Sequence, residues 1–417
     1  MKSVLASLFV PGFSSRRRRT ALSIALIVTG FVAPIVVPLI LLVSSGGFGE
    51  LVLDTSSLAV IRVVLVVVVL TRVVAFAEIL VSRPNEAKKP ATVLAALVGA
   101  AVVAVPSVWA YGSIGQVTDA VDEIFLSSGS DEPLATVGPD DADFTTVLLV
   151  AGDDGDDRWN VSTDSIVLIT THDPSGRMAM ISIDGDVRGL DWSNDSPAGA
   201  SSIGGANTTI SRIFPSVNDD PDLSESYGRG SLAPGAVALA DGLSSSLGIG
   251  IDDYLYVNLN GVRDVVDVVG TVRVTAAGEL EIPALDGSPS ELVGPGRIEL
   301  SGDQAYRLVS TRTDVSDFDV MVRQRIIISS IGKAISGTAL LSDLGRLLDV
   351  VKNSMRSSLS TSDFLDFLDG LSDRDPTRID LSLVPDHLDP RAPDWSTAAD
   401  FVADVRSALT DGSEFSD

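Results

Sequence analysis

The sequence predicts an α/β domain, a central mixed β-sheet flanked by helices, preceded by three transmembrane helices. Three observations predict it. Residues 1–111 hold three long apolar segments and carry ten Lys/Arg against four Asp/Glu, a net of +6. The other 306 residues hold 20 Lys/Arg and 52 Asp/Glu, a net of −32, so charge divides the chain where hydropathy does. From residue 144 onward, short β-branched apolar runs alternate with stretches of helical spacing, the pattern of an α/β fold.

Residues 1–20 form a basic N-terminus with "RRRR" at 16–19, followed by the uncharged segment 21–44, "ALSIALIVTGFVAPIVVPLILLVS". That segment exceeds the roughly 20 residues a bilayer crossing needs and ends without a cleavage site of small residues. Further spans are expected at about 57–81 and 92–111, which makes 21–111 a membrane anchor. The link between them, "SRPNEAKKP", is basic like the N-terminus. The excess of positive charge puts both in the cytosol and everything after residue 111 outside. Arg62 and Arg72 fall inside the second span. Charges there either mark a functional pathway or reach an interface along their aliphatic stems.

Residues 112–143 are poor in large apolar side chains and read as an exposed linker, leaving 144–387 as the folded domain. "TTVLLVA", "DSIVLITTH" and "RMAMISI" are short and almost continuously apolar, as buried strands are. "APGAVALADGLSSSLG" (233–248) has helical spacing and a closing Gly. Strand "DDYLYVNL", helix "NGVRDVVDVVG" and strand "TVRVT" follow. Residues 191–230, rich in Gly, Ser, Asn and Asp, read as a long excursion beside a site. Helices are expected to dominate 301–371, and 388–417 reads as an acidic, partly disordered tail.

Composition excludes several chemistries. The absence of cysteine removes disulfides, thiolate metal sites and thiol nucleophiles. His172 and His387 are the sole histidines, and His172, beside Asp173, reads as an exposed loop residue. The acidic domain lacks the Lys/Arg surface that neutralises phosphates, so nucleic acid is not an expected partner. No P-loop, G-x-S-x-G or dinucleotide fingerprint is present.

Chemistry is sought instead at strand ends, where open α/β sheets bind ligands. Asp153 follows "LLVAG", Asp164 precedes "SIVLIT", and Asp186 follows "ISIDG". Four arginines lie in "RLVSTRTDVSDFDVMVRQR" (307–325). Carboxylates there suit a hard divalent cation or local turn caps, and guanidinium groups suit phosphate oxygens.

The order of these segments resembles the LytR-CpsA-Psr family of bacterial cell-envelope proteins. "LLVAGD" (148–153), "STDSIVL" (162–168), "SIDGD" (182–186), "TISRIF" (209–214) and "YLYVNLNGVRDVVDVVGTV" (254–272) carry the resemblance, with "LSGDQAYRLVSTR" (300–312) and "DFDVMVRQR" (317–325). It covers about residues 144–372 and implies a multi-pass protein of the bacterial cytoplasmic membrane with an extracytoplasmic catalytic domain. The implied activity is a phosphotransferase that moves a glycopolymer from a polyprenyl-pyrophosphate carrier to peptidoglycan. The lipid bilayer, the lipid-linked polymer and peptidoglycan are the implied partners. Carried onto this sequence, Asp153 and Asp164 would hold Mg²⁺ or Mn²⁺ and Asp186 would orient the site. Arg312 and Arg323 would be catalytic and grip pyrophosphate, with Gln324 beside them.

The sequence departs from the family pattern at four arginine positions, which are Ser162, Gly185, Ser310 and Val320 here. Arg188, Arg307, Arg325 and Arg158 lie near the vacated places; Arg188 is the pyrophosphate-binding substitute expected, whereas Arg307 and Arg325 are assigned to solvated or packing faces. These losses support an alternative: a non-catalytic scaffold that binds lipid-linked glycan or a partner ligase.

Overall fold

A computed structural model describes residues 28–44, 51, 54–82, 90–125, 142–152, 163–228, 233–276, 278–284, 289–310, 317–335, 344–372, 379–383, 386–413 and 415. The chain divides into two units, Met1–Val121 and Asp122–Asp417.

In the first unit a π-helical turn, Val28–Val32, leads into α1 (Ala33–Ser44); α2 spans Thr55–Ser82 and α3 spans Pro90–Ile124. Among the described residues one helical segment, Thr55–Val74, is long and apolar enough to cross a membrane by length and composition. Ala33–Ser44 is apolar but shorter. Arg72 is buried and donates from Nη2 to the Gly30 carbonyl at 2.9 Å, while Arg62 stacks 4.5 Å from the centroid of Tyr111. α3 runs into what the sequence marked as linker. Ile114, Val117, Val121 and Ile124 recur at helical spacing, and that apolar face prolongs the helix.

The second unit is built on a six-stranded mixed sheet in the order Ile379–Ser382, Arg177–Ile183, Thr163–His172, Phe144–Gly152, Asp253–Asn258, Met355–Ser357. Its first strands are β1 (Phe144–Gly152), β2 (Thr163–His172) and β3 (Arg177–Ile183). A 3₁₀ turn at Ser202–Gly204 precedes α4 (Ile210–Asp219), α5 (Pro221–Tyr227) and α6 (Pro234–Leu247). Then come β4 (Asp253–Asn258), α7 (Leu259–Val269) and four short strands: β5 (Val272–Ala276), β6 (Leu280–Ile282), β7 (Glu291–Val293) and β8 (Gly296–Leu300). These pair as the antiparallel hairpins β5–β8 and β6–β7. The chain ends in α8 (Gly302–Ser310), α9 (Asp317–Ile335), α10 (Leu344–Ser354), β9 (Met355–Ser357), α11 (Thr361–Ser372), β10 (Ile379–Ser382) and α12 (Trp395–Asp411).

Continuous apolar runs suit β1, β2 and β3 to the interior of the sheet, because a strand covered on both faces needs apolar side chains at nearly every position. Leu148, Val150, Ile166, Leu168 and Ile181 are all essentially inaccessible. β1 runs antiparallel to β2 and parallel to β4; β3 runs antiparallel to β2 and parallel to β10. The main core packs α4, α6 and α12 against this sheet, with Phe214 stacked on Tyr256 at 4.6 Å.

Three expectations are corrected here. Residues 191–230 are an excursion only as far as Thr209; α4 and α5 follow. Pro215 hid α4, since proline removes the amide that would bond Ser211, four residues back. Thr163 Oγ1 supplies the missing donor to the Ser211 carbonyl at 2.9 Å. The acidic tail contains α12, whose Trp395, Phe401, Val402, Val405 and Leu409 enter the core. Asp394 caps that helix by accepting from the amides of Ser396 and Thr397. His172 closes β2 in a buried position, 2.7 Å from Ser175 Oγ through Nδ1 and 5.0 Å from the Phe144 ring.

Candidate functional site

Strand register decides which chain segments share an edge. Gly152, the last residue of β1, pairs with Thr163 at the start of β2 and with Asn258 at the end of β4. β3 ends at Ile183, opposite Ile166, and therefore reaches the same edge. Ala151 pairs with Ser165 but Gly152 with Thr163, so Asp164 is the extra residue of a β-bulge. Bulges are frequent beside active sites because they break the ladder locally.

Loop 184–189 leaves β3 at this edge and is fastened by backbone bonds to the start of α4. Ser211 N donates to Gly185 O at 3.0 Å, Ile210 N to Val187 O at 2.9 Å, and Gly189 N to Thr208 O at 3.4 Å. Asp184 Oδ1 accepts from Asp186 N at 2.9 Å, leaving the Asp186 carboxylate exposed. Arg188 forms an isolated bridge with Thr209, and its exposed side chain has no hydrogen bond or ion pair among the described residues. Gly189 sits at φ +64°, where a side chain is strained, and a Cβ there would lie 3.2 Å from Ala206 O.

The direction of α9 follows from two contacts. Arg325 donates from Nη1 to Ser182 Oγ, to Leu381 O at 2.8 Å and to Ser382 Oγ at 2.9 Å. Four residues later, Ser329 Oγ meets Met180 Sδ at 3.9 Å. Moving toward the N-terminus of α9 therefore moves toward the end of β3 and the loop that follows it. Arg323 lies about 3 Å further that way at about 1.5 Å per residue, and roughly 200° around the helix from Arg325. It is half-buried, and its Nη1 is buried with no hydrogen-bond partner among the described residues. Ser310 Oγ, at the end of α8, is buried in the same way.

Two neighbours of Arg323 are structural. Gln324 is buried and donates from Nε2 to Val309 O at 3.2 Å. It fastens α9 to the last turn of α8. Arg325 is a buried strap between α9 and the strands β3 and β10, in keeping with a packing role. Arg307 pairs with Asp303 at 2.9 Å and donates to Pro283 O at 3.1 Å, holding α8 to the end of β6. Asp153, Arg158, Ser162 and Arg312 lie outside the described residues, as does the side chain of Asp164. Among the described residues no group of three or more His, Cys, Asp or Glu gathers as a metal cage. Asp184 and Asp186 alone do not fit a divalent cation.

A family model described as LytR_cpsA_psr matches residues 113–404. The chain belongs to the LytR-CpsA-Psr family. It is 26% identical over 258 residues to Biofilm regulatory protein A of Streptococcus mutans serotype c, a match covering 60% of this chain and 57% of that relative. It is 23% identical over 265 residues to the polyisoprenyl-teichoic acid–peptidoglycan teichoic acid transferase TagU of Bacillus mycoides, covering 62% of this chain and 76% of TagU. Among solved structures, B. subtilis TagV shares 18% identity, covers 66% of this chain and 98% of its own, and has a TM-score of 0.45.

Within the LytR-CpsA-Psr pattern, three vacated arginine positions are described. Val320 is buried and Ser310 is half-buried. A Cβ on Gly185 would lie 3.1 Å from Ser211 Cβ, a tight approach to the start of α4. Sequence reasoning missed one residue that reaches this edge from afar: Trp395 donates from Nε1 to Gly189 O at 2.8 Å. The local signal was present as "DWST", an N-cap followed by an apolar residue, within the stretch read as a tail.

Proposed function

We propose that this LytR-CpsA-Psr protein is a membrane-anchored, extracytoplasmic phosphotransferase. It joins a polyprenyl-pyrophosphate-linked glycopolymer to peptidoglycan in cell-envelope assembly. One observation carries the reading. The end of β1, the bulge at Asp164 and the loop bearing Asp186 and Arg188 share one sheet edge, and α9, the helix that carries Arg323, runs toward it. TagU, named for teichoic acid transfer to peptidoglycan, supplies the substrate class by similarity.

Phosphoryl transfer depends mainly on positioning and on charge placed where it develops. In this reading Arg323 and Arg188 hold pyrophosphate oxygens, with Arg312, and Asp186 orients the site from the loop that follows β3. The buried Nη1 of Arg323, without a partner among the described residues, is a donor that an anion would satisfy. Asp153 and Asp164 would carry Mg²⁺ or Mn²⁺, which supplies charge neutralisation at the diphosphate when bound. The anchor crosses the membrane three times, at about 21–44, 57–81 and 92–111, with residues 1–20 in the cytosol and the C-terminal domain outside.

The tight approach of Ser211 at Gly185 and the burial of Val320, where arginines are missing, favour a second reading, a scaffold that binds lipid-linked glycan or a partner ligase without transfer. The full-length chain in lipid nanodiscs, supplied with a polyprenyl-pyrophosphate oligosaccharide, peptidoglycan and Mg²⁺, decides between them. Transfer that disappears in Arg323→Ala and Arg312→Ala supports the enzyme. Retained lipid binding with no turnover in the parent refutes it in favour of the scaffold.

A further inference from the structure

We propose that Trp395, in the C-terminal helix, is a positioning residue for the anion-binding loop and acts through Arg188. The inference rests on the reading above that this edge binds a diphosphate. The loop is exposed at Asp186 and Arg188, yet its far end is fastened on two sides. Gly189 N donates to Thr208 O, and Gly189 O accepts from Trp395 Nε1 at 2.8 Å. Gly189 is thus held in its left-handed conformation by both of its backbone groups.

The fastening is anchored in the core. Trp395 is the first residue of α12 and is 6% exposed, and the helix behind it buries Phe401, Val402, Val405 and Leu409. An indole held on such a base has little freedom, so its N–H fixes the Gly189 carbonyl rather than following it. Arg188 lies between two pinned residues, Val187 and Gly189, with its own side chain in solvent. Its backbone is therefore placed before any ligand arrives, which lowers the ordering cost of gripping an anion. Releasing the tie leaves the guanidinium present but its base mobile.

The test uses the full-length chain in nanodiscs, with inorganic pyrophosphate as probe. Trp395→Phe keeps most of the packing and removes the donor. Benzothienylalanine at position 395 keeps the bicyclic volume and also lacks the N–H, so it serves if the Phe variant folds poorly. Two readouts are taken: amide exchange of residues 184–190 by mass spectrometry, and pyrophosphate affinity by calorimetry.

Faster exchange confined to 184–190, with affinity reduced about three- to tenfold as expected for one net hydrogen bond, supports the proposal. In the Arg188→Ala background the same change at 395 then costs nothing further, because the tie acts through Arg188. Unchanged exchange in 184–190 overturns the proposal, as does an equal affinity loss in both backgrounds. A parent protein that binds no pyrophosphate refutes the diphosphate reading of the edge, and with it any role of Trp395 in anion binding; selective exchange in 184–190 would then mark a purely structural tie.

Discussion

Replacing Asp253 by Asn probes the sheet edge opposite the candidate site. Asp253 opens β4, five residues before the Asn258 that meets Gly152 at the site edge. Burial, above all, pushes its carboxyl from the ordinary 3.8 up to about 6; the Ser358 hydroxyl, 2.7 Å from Oδ1, pulls it partly back, and Asp252 and Asp363 push it further. A carboxyl raised on folding binds its proton more tightly in the native state. Its contribution to stability is therefore fully present below about pH 4 and is lost as pH rises through about 6. At about 1.4 kcal/mol per pKa unit, the gap amounts to about 3 kcal/mol by pH 8. Asn cannot ionise and still offers Oδ1 to Ser358. Asp253→Asn is accordingly expected to match the parent near pH 4 and to exceed it by up to about 3 kcal/mol at pH 8. Urea unfolding of the full-length chain in mild detergent, followed by intrinsic fluorescence at half-unit pH steps, measures the difference. A difference that stays constant with pH, or a variant less stable at pH 8, refutes the reasoning.

Arg325→Met removes the donor shared by Ser182, Leu381 and Ser382 while keeping an apolar stem; a loss of about 3 kcal/mol is expected in the same unfolding experiment. Arg323→Met is expected to behave oppositely. Its Nη1 has no partner among the described residues, so stability should change by less than about 1 kcal/mol while pyrophosphate binding in calorimetry falls at least tenfold. Gly189→Ala forces a side chain into the left-handed region and toward Ala206 O, at an expected cost of about 1–2 kcal/mol with faster amide exchange in 184–190.

The central strands and several helices were legible because their signals are local. "RMAMISI" names β3 residue for residue, since a strand covered on both faces must be apolar throughout. Helix 233–248 announced itself by a Pro at the first turn and a Gly past the last, and α6 runs Pro234–Leu247 with Gly248 as its left-handed cap. The family was legible too, because seven weak motifs in order constrain far more than any one of them. α4 and α12 were not, since Pro215 and an acidic composition mask helices whose evidence lies elsewhere: a threonine 48 residues before the freed carbonyl, and a core waiting for Trp395.

The sequence by itself therefore determined the first five strands, where charge and hydropathy divide the chain, and which family it joins. Only the tertiary structure decided which arginine stands where. Arg323 and Arg325 are two letters apart, yet one has a donor with no partner among the described residues while the other straps α9 to β3 and β10. Gln324, beside them, turned out to join two helices. Side-chain periodicity records that a face is covered but not by what. The partners of Gln324 and Arg325 lie from 15 to 143 positions away and are chosen when the sheet register and the helix crossings close together.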